Sequence, residues 1–184
     1  MVEQITFQTL FQFLQTVGIL VGVYYYITTI RVSRKNQELQ LETRQAQLFM
    51  QIFNRMQDIE FANHFNEIML REWEDYDDWN RKYGRYTNPS AQAKSTSIGQ
   101  FFEGLGVILK QGLIDIDIVG ELMSRFVLLY WEKIRPIIME MRERMNNPEV
   151  LLYAEYLYDE LLKREERLGH DKELRDAYQK PESE

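Results

Sequence analysis

Glu60, His64 and Glu67 stand at i, i+4 and i+7, a spacing that stacks three side chains on one face of a helix. Carboxylate and imidazole groups on facing helices hold di-iron centres in helical bundles, so this triplet is the best metal candidate in the chain. It falls short of that pattern. Di-iron bundles take a Glu-x-x-His pair from each of two helices, whereas here the order is His64-x-x-Glu67 and the other histidine, His170, sits in the tail. A solvated helix face is the expectation, with no metal. The dense acids Glu72, Glu74, Asp75, Asp77 and Asp78 lack the Gly-turned spacing of a calcium loop, and they read as a solvated surface or a face for a basic partner.

Gly104-x-Gly106 is not a nucleotide fingerprint, because it lies in an apolar helical run, follows no strand and lacks the third glycine. Close helix packing is its expected use. Glu103 beside it is a candidate buried charge. A carboxylate on an apolar face costs several kcal/mol by order of magnitude unless paired, so Lys133, Arg135 or the Trp131 indole are the expected partners. No cysteine occurs, which excludes disulfide scaffolds, thiolate metal sites and cysteine nucleophiles. No catalytic constellation remains, so neither an enzyme nor a cofactor is expected.

The element that must position everything else is apolar. Between Glu3 and Arg31 there are 27 residues without a charge, and residues 13–30 are apolar apart from Gln15, Thr16, Thr28, Thr29 and the tyrosine hydroxyls. About 20 residues of helix cross a bilayer core. A signal peptide is the competing reading, but it calls for a basic leader and a small-residue cleavage site, where this chain has Met1-Val2-Glu3 and Tyr24-Tyr25-Tyr26. Arg31, Arg34 and Lys35 follow the span, which by the positive-inside tendency places the N-terminus outside and the C-terminal domain in the cytoplasm of a cell membrane. Gly18 and Gly22 form a small-xxx-small pair that lets a second helix approach closely.

The remainder carries all 22 Lys and Arg against 28 of the 29 acids, a net of -6, with no basic stripe, so nucleic acid is not an expected partner. Residues 31–47 are polar helix formers and read as a stalk that continues the span; an unbroken helix from about Gln4 to Leu70 and a break near the membrane surface both stay open. From Leu48 an apolar stripe of helical period begins. A coiled coil through Leu41, Leu48, Ile52 and Ile59 is interrupted by Gln45 and Arg55, so core packing is preferred. Trp73, Tyr76, Trp79 and Tyr83 predict a short helix over 73–83 with an aromatic stripe, of which Trp73, Tyr76 and Trp79 are candidate interaction residues alongside Gly18 and Gly22.

Asn88-Pro89 is an N-cap and first-turn pair, with Ser97-x-x-Gln100 as a later alternative start. That helix ends at Gly112. Asp115 or Asp117 caps the next, with Ile118, Leu122, Phe126, Leu129 and Trp131 as its apolar residues and Pro136 expected to kink or break it. Asn147-Pro148 opens a last helix that buries Leu151, Leu152, Tyr156, Leu157 and Leu161 and stops at Gly169. The organisation is therefore an all-α chain: an anchor over 1–30, a helical stalk over 31–47, a cytoplasmic helical bundle over 48–168 and a polar tail over 169–184.

Phe101-Phe102-Glu103-Gly104-Leu105-Gly106 through Gly112-Leu113-Ile114-Asp115, followed by Tyr130-Trp131-Glu132-Lys133-Ile134-Arg135-Pro136-Ile137-Ile138, resembles a widespread prokaryotic family of membrane-anchored helical proteins described only as a domain of unknown function. The resemblance covers roughly residues 30–165. It implies a fold and a single-span topology and carries over no catalytic residue. Membrane, anchor and missing chemistry together point to an interaction module or accessory subunit, partnered by the lipid bilayer and by another protein or a second copy. A membrane-tethered signalling, stress-sensing or defence component is the alternative.

Overall fold

Each element of the computed structural model, which describes residues 7–169, is an α-helix, and no strand occurs among the described residues. Two units are distinguished, one ending at Leu48 and the other beginning at Phe49. The first is occupied by helix α1 (Phe7–Met56), in which no residue is buried. Among the described residues α1 is the one helix long and apolar enough to cross a membrane. Its 42 residues from 7 to 48 extend about 63 Å at the rise of an α-helix. Anchor and stalk share this one helix.

The second unit starts with the last turns of α1, where Phe49, Ile52, Phe53 and Met56 pack on a hydrophobic core. The helix ends at Met56, short of Leu70, and the break falls at Asp58. Asp58 leaves helical backbone at ψ 131°, accepts the Glu60 amide at 2.9 Å and takes the Arg55 guanidinium at 3.0 Å. An aspartate that bonds the following amides offers the chain a fresh start in competition with continued helix. Helix α2 (Ile59–Leu70) follows, burying Phe61, Phe65 and Ile68.

Helix α3 (Tyr76–Tyr83) is shorter than expected, because Asp75 caps the Asp78 amide at 2.8 Å and leaves Trp73 outside. Helix α4 (Pro89–Lys110) begins at the expected pair: Asn88 accepts the Ala91 amide at 3.1 Å and Pro89 occupies the first turn, where its missing donor costs nothing. Gly112 follows with φ +68°, a conformation that favours glycine. Helix α5 (Ile116–Met145) is capped by Asp115 and passes through Pro136 without ending. Both Pro136 and Glu132, whose carbonyl loses its partner, lie on the exposed side, so solvent can replace the lost bond.

Of the apolar residues expected on α5, Trp131 is buried and Leu129 half-buried, but the first half of the helix turns a different face inward. Ile118, Leu122 and Phe126 are 43%, 44% and 40% exposed, while Val119, Met123, Val127 and Leu128 turn inward with Trp131. Over these first turns the buried residues are each one position along, a rotation of about 100°. The sequence offered apolar residues on both faces, and packing against α6 selected the one that includes Gly120.

Helix α6 (Leu152–Leu168) starts later than Asn147-Pro148 predicted, with Leu151 at its N-cap and Gly169, φ +73°, closing it. Leu157 and Leu161 are buried as expected, but Leu152 is exposed and Leu151 and Tyr156 only half-buried. α6 lies across α4 and α5 at two glycines. A Cβ on Gly106 would overlap the Tyr153 carbonyl, and one on Gly120 would overlap the Arg164 guanidinium. Gly104 has nothing within 4 Å of such an atom.

The two neighbours therefore separate packing from propensity. Gly104→Ala is expected to stabilise the bundle by about 0.5–1 kcal/mol, the ordinary gain of alanine over glycine inside a helix. Gly106→Ala should destabilise it by about 1–3 kcal/mol, since backbone must move to admit the methyl group. Unfolding followed by circular dichroism in mild detergent measures both.

Candidate functional site: an apolar cavity beside Arg71

The face that buries Phe61, Phe65 and Ile68 on α2 continues at helical spacing to Arg71, which ends the helix and is only 5% exposed. Removing a guanidinium from water costs several kcal/mol by order of magnitude unless its donors are met. Its Nη1 donates to Ser95 Oγ at 2.6 Å, and Nη2 donates to Glu67 Oε1 at 2.9 Å and to the Ala91 carbonyl at 3.1 Å. The Tyr83 ring lies 4.8 Å away on one side. Nε is buried without a partner, as is Oε1 of Gln92. Lys94 also donates to Glu67, and that bond, then the one from Arg71, holds the Glu67 carboxyl below the usual carboxylate range.

Arg71 stands on the wall of a cavity of about 250 Å³, open on one side and lined by residues of α2, α3, α4 and α5 and of the loop leading to α6. Trp79, Ile134, Ile138, Met141 and Leu151 supply its apolar surface. Among the described residues no acidic one lines it. Tyr130, 3% exposed, contributes the phenol, and burial pushes its ionisation up, with Arg71 opposing only in part, so the hydroxyl stays protonated. Gly99 leaves room beside that hydroxyl, since a Cβ there would lie 3.2 Å from it and 3.4 Å from Leu151. Thr96 and Gln100 are the exposed residues of the rim on α4.

The residues singled out by sequence fall in several places. Trp73 and Trp79 share the cavity wall, with Trp79 buried and Trp73 carrying Lys133 over its ring at 4.5 Å. Tyr76 instead packs beneath Arg144 at 4.5 Å. Gly18 and Gly22 belong to the other unit, and a Cβ on either would meet nothing within 4 Å. Glu60 is exposed, and Glu67 is committed to Arg71 and Lys94; no three potential metal ligands cluster among the described residues. Of the acidic cluster Glu72, Glu74, Asp75 and Asp77 are exposed as expected, and Asp78 is the exception. Asp78 is 6% exposed, bonded to Arg81, to Lys82 at 2.7 Å and to the Glu74 amide at 3.1 Å; Asp77 pairs with Arg144 at 2.6 Å.

Glu103 pairs with none of the partners proposed for it. Lys133 is taken by Trp73 and Arg135 is exposed. Half-buried, Glu103 accepts the amide of Ala154 at 2.8 Å, in the first turn of α6. The N-cap residue Leu151 has no side-chain acceptor, so a carboxylate from another helix supplies it, and the positive end of the helix dipole favours the charge.

Two buried cations escaped the sequence reading. Arg71 extends the stripe of Phe61, Phe65 and Ile68, and Arg164 extends that of Leu157 and Leu161; helical spacing places both on buried faces, and that was the available signal. Arg164 lies on Gly120 and bonds Asp117 at 3.0 Å and Glu165 at 2.8 Å.

Residues 12–161 match the family described as Domain of unknown function (DUF4760), and the chain belongs to it. The match begins inside the apolar part of α1, so that stretch is part of what the family shares. No curated protein and no solved structure matches the chain.

Two substitutions test these assignments. Glu103→Ala should cost about 0.5–2 kcal/mol, the worth of a helix cap, with Glu103→Gln retaining part of it. Because the folded-state pKa of Glu67 is lowered, its contribution is present above the ordinary carboxylate value and lost as pH falls through the folded value. Glu67→Gln should therefore flatten the decline of Tm below about pH 4.5, measured by thermal unfolding across an acid series.

Proposed function

We propose that this member of the family is a membrane-anchored interaction module, an accessory subunit or a self-associating protein that acts by binding and not by catalysis. One observation carries the reading: the apolar part of α1 has no buried residue, so its whole surface is left to lipid and to a partner helix. Gly18 and Gly22 lie on one side of it, open on the side a second helix would approach. Arg31, Arg34 and Lys35 at the end of the apolar stretch support an N-terminus outside and a cytoplasmic bundle in a cell membrane. A net charge of -6 after residue 30 speaks against nucleic acid.

A signalling, stress-sensing or defence role is the second reading, and the absence of any break in α1 from Phe7 to Met56 favours it, since an unbroken helix can pass on a rotation.

The chain has no cysteine, so single substitutions report contacts without background. Gly18→Cys and Gly22→Cys should each crosslink, to a second copy or to another protein, in native membranes under mild oxidation or with a short bifunctional maleimide. Leu20→Cys, about 200° around the helix from Gly18, should not. Absence of any crosslink at 18 and 22, or equal crosslinking at 20, contradicts the reading.

A further inference from the structure

The cavity beside Arg71 combines features that an ordinary packing void lacks. An empty void in a protein core is apolar. Here a guanidinium, the one charged side chain on the wall among the described residues, is buried with its Nε unpartnered, and Gln92 Oε1 is buried unpartnered as well. Arg71 is held in place by the carboxylate of Glu67, which also takes Lys94 from the solvent side. The Tyr130 hydroxyl, protonated and beside Gly99, adds a neutral donor on the same wall.

The remaining surface is apolar, and the volume lies just under the roughly 300–1,000 Å³ of ordinary ligand pockets. That size excludes a peptide helix or a nucleotide and suits a body of one ring or a short branched chain. Among the described residues the wall carries one guanidinium and no lysine, too little positive charge to receive a phosphate dianion.

We propose that this cavity is a binding site for a small organic monocarboxylate, its carboxylate received by Arg71 and Tyr130 and its apolar body held by Trp79, Ile134, Ile138 and Met141. The polar donors set orientation, and the apolar walls supply most of the affinity. The site does not depend on the partner of α1, and binding of a small acid would give the bundle a chemical input of its own.

Isothermal titration calorimetry of the full chain in lipid nanodiscs, with empty nanodiscs as control, tests this using 3-phenylpropionate as the probe. Saturable binding of one equivalent is expected, with 3-phenylpropanamide about tenfold weaker and 3-phenylpropylamine silent. Tyr130→Phe should weaken the acid about tenfold to a hundredfold, the worth of one hydrogen bond to a charged group. Thr96→Trp, at the exposed rim, should abolish binding while leaving the circular dichroism spectrum unchanged. Arg71→Met should remove the preference for acid over amide; should that variant not fold, Tyr130→Phe and Thr96→Trp carry the test. Acid and amide binding equally, no heat at millimolar acid, or binding indifferent to Thr96→Trp overturns the proposal.

Discussion

The carboxylate of Glu103 reaches from the middle of α4 to the Ala154 amide of α6, a helix whose own N-cap is a leucine at φ 52°. A leucine in the left-handed region costs about 1–2 kcal/mol and brings no capping oxygen, so α6 cannot begin well by itself. It begins because α4 supplies the acceptor, and because Gly106, three residues on, lets the Tyr153 backbone lie directly on α4. Glutamate and glycine work as a pair: one holds the helix end, the other removes the side chain that would keep it away.

Much of the bundle follows from that crossing. With α6 held there, Gly120 receives Arg164 and fixes which face of α5 is inward. The loop before α6 is then short of slack, and Arg142 closes it by donating to the Val150 carbonyl at 2.9 Å and to Glu155 at 2.6 Å. Val150 and Leu151 thereby become part of the wall that faces Arg71 and Tyr130. The cavity is thus a product of helix docking and not of a loop that could collapse independently. Its polar end is built from the other direction, by the stripe of α2 running out in an arginine.

Legibility from sequence followed the range of the forces involved. Asn88-Pro89, Asp115, Gly112 and Gly169 were readable because a cap or a left-handed terminus is decided within a few residues. The apolar run of α1 was readable from composition alone. The break at Asp58 was local too, yet aspartate is tolerated inside helices often enough that its position gave no warning. What could not be read were choices made by tertiary contact: which of two apolar faces α5 would bury, and which distant amide Glu103 would meet. Continuation through Pro136 depended on that turn facing solvent, which is also a fact about packing. Of the cavity, the sequence offered Trp73 and Trp79 as aromatic candidates but not Arg71, because arginine is seldom buried and its burial here is decided by the partners that packing brings to it.

Native-state hydrogen exchange on the full chain in detergent tests the dependence of the bundle on the α4–α6 crossing most directly. Amides of α6 from Ala154 to Leu161 should exchange with the same protection as those of α4 from Phe102 to Leu109, both opening in the global unfolding event. Exchange in α6 that is orders of magnitude faster, while α4 and α5 stay protected, would show that α6 is a detachable cover and that the bundle stands without it.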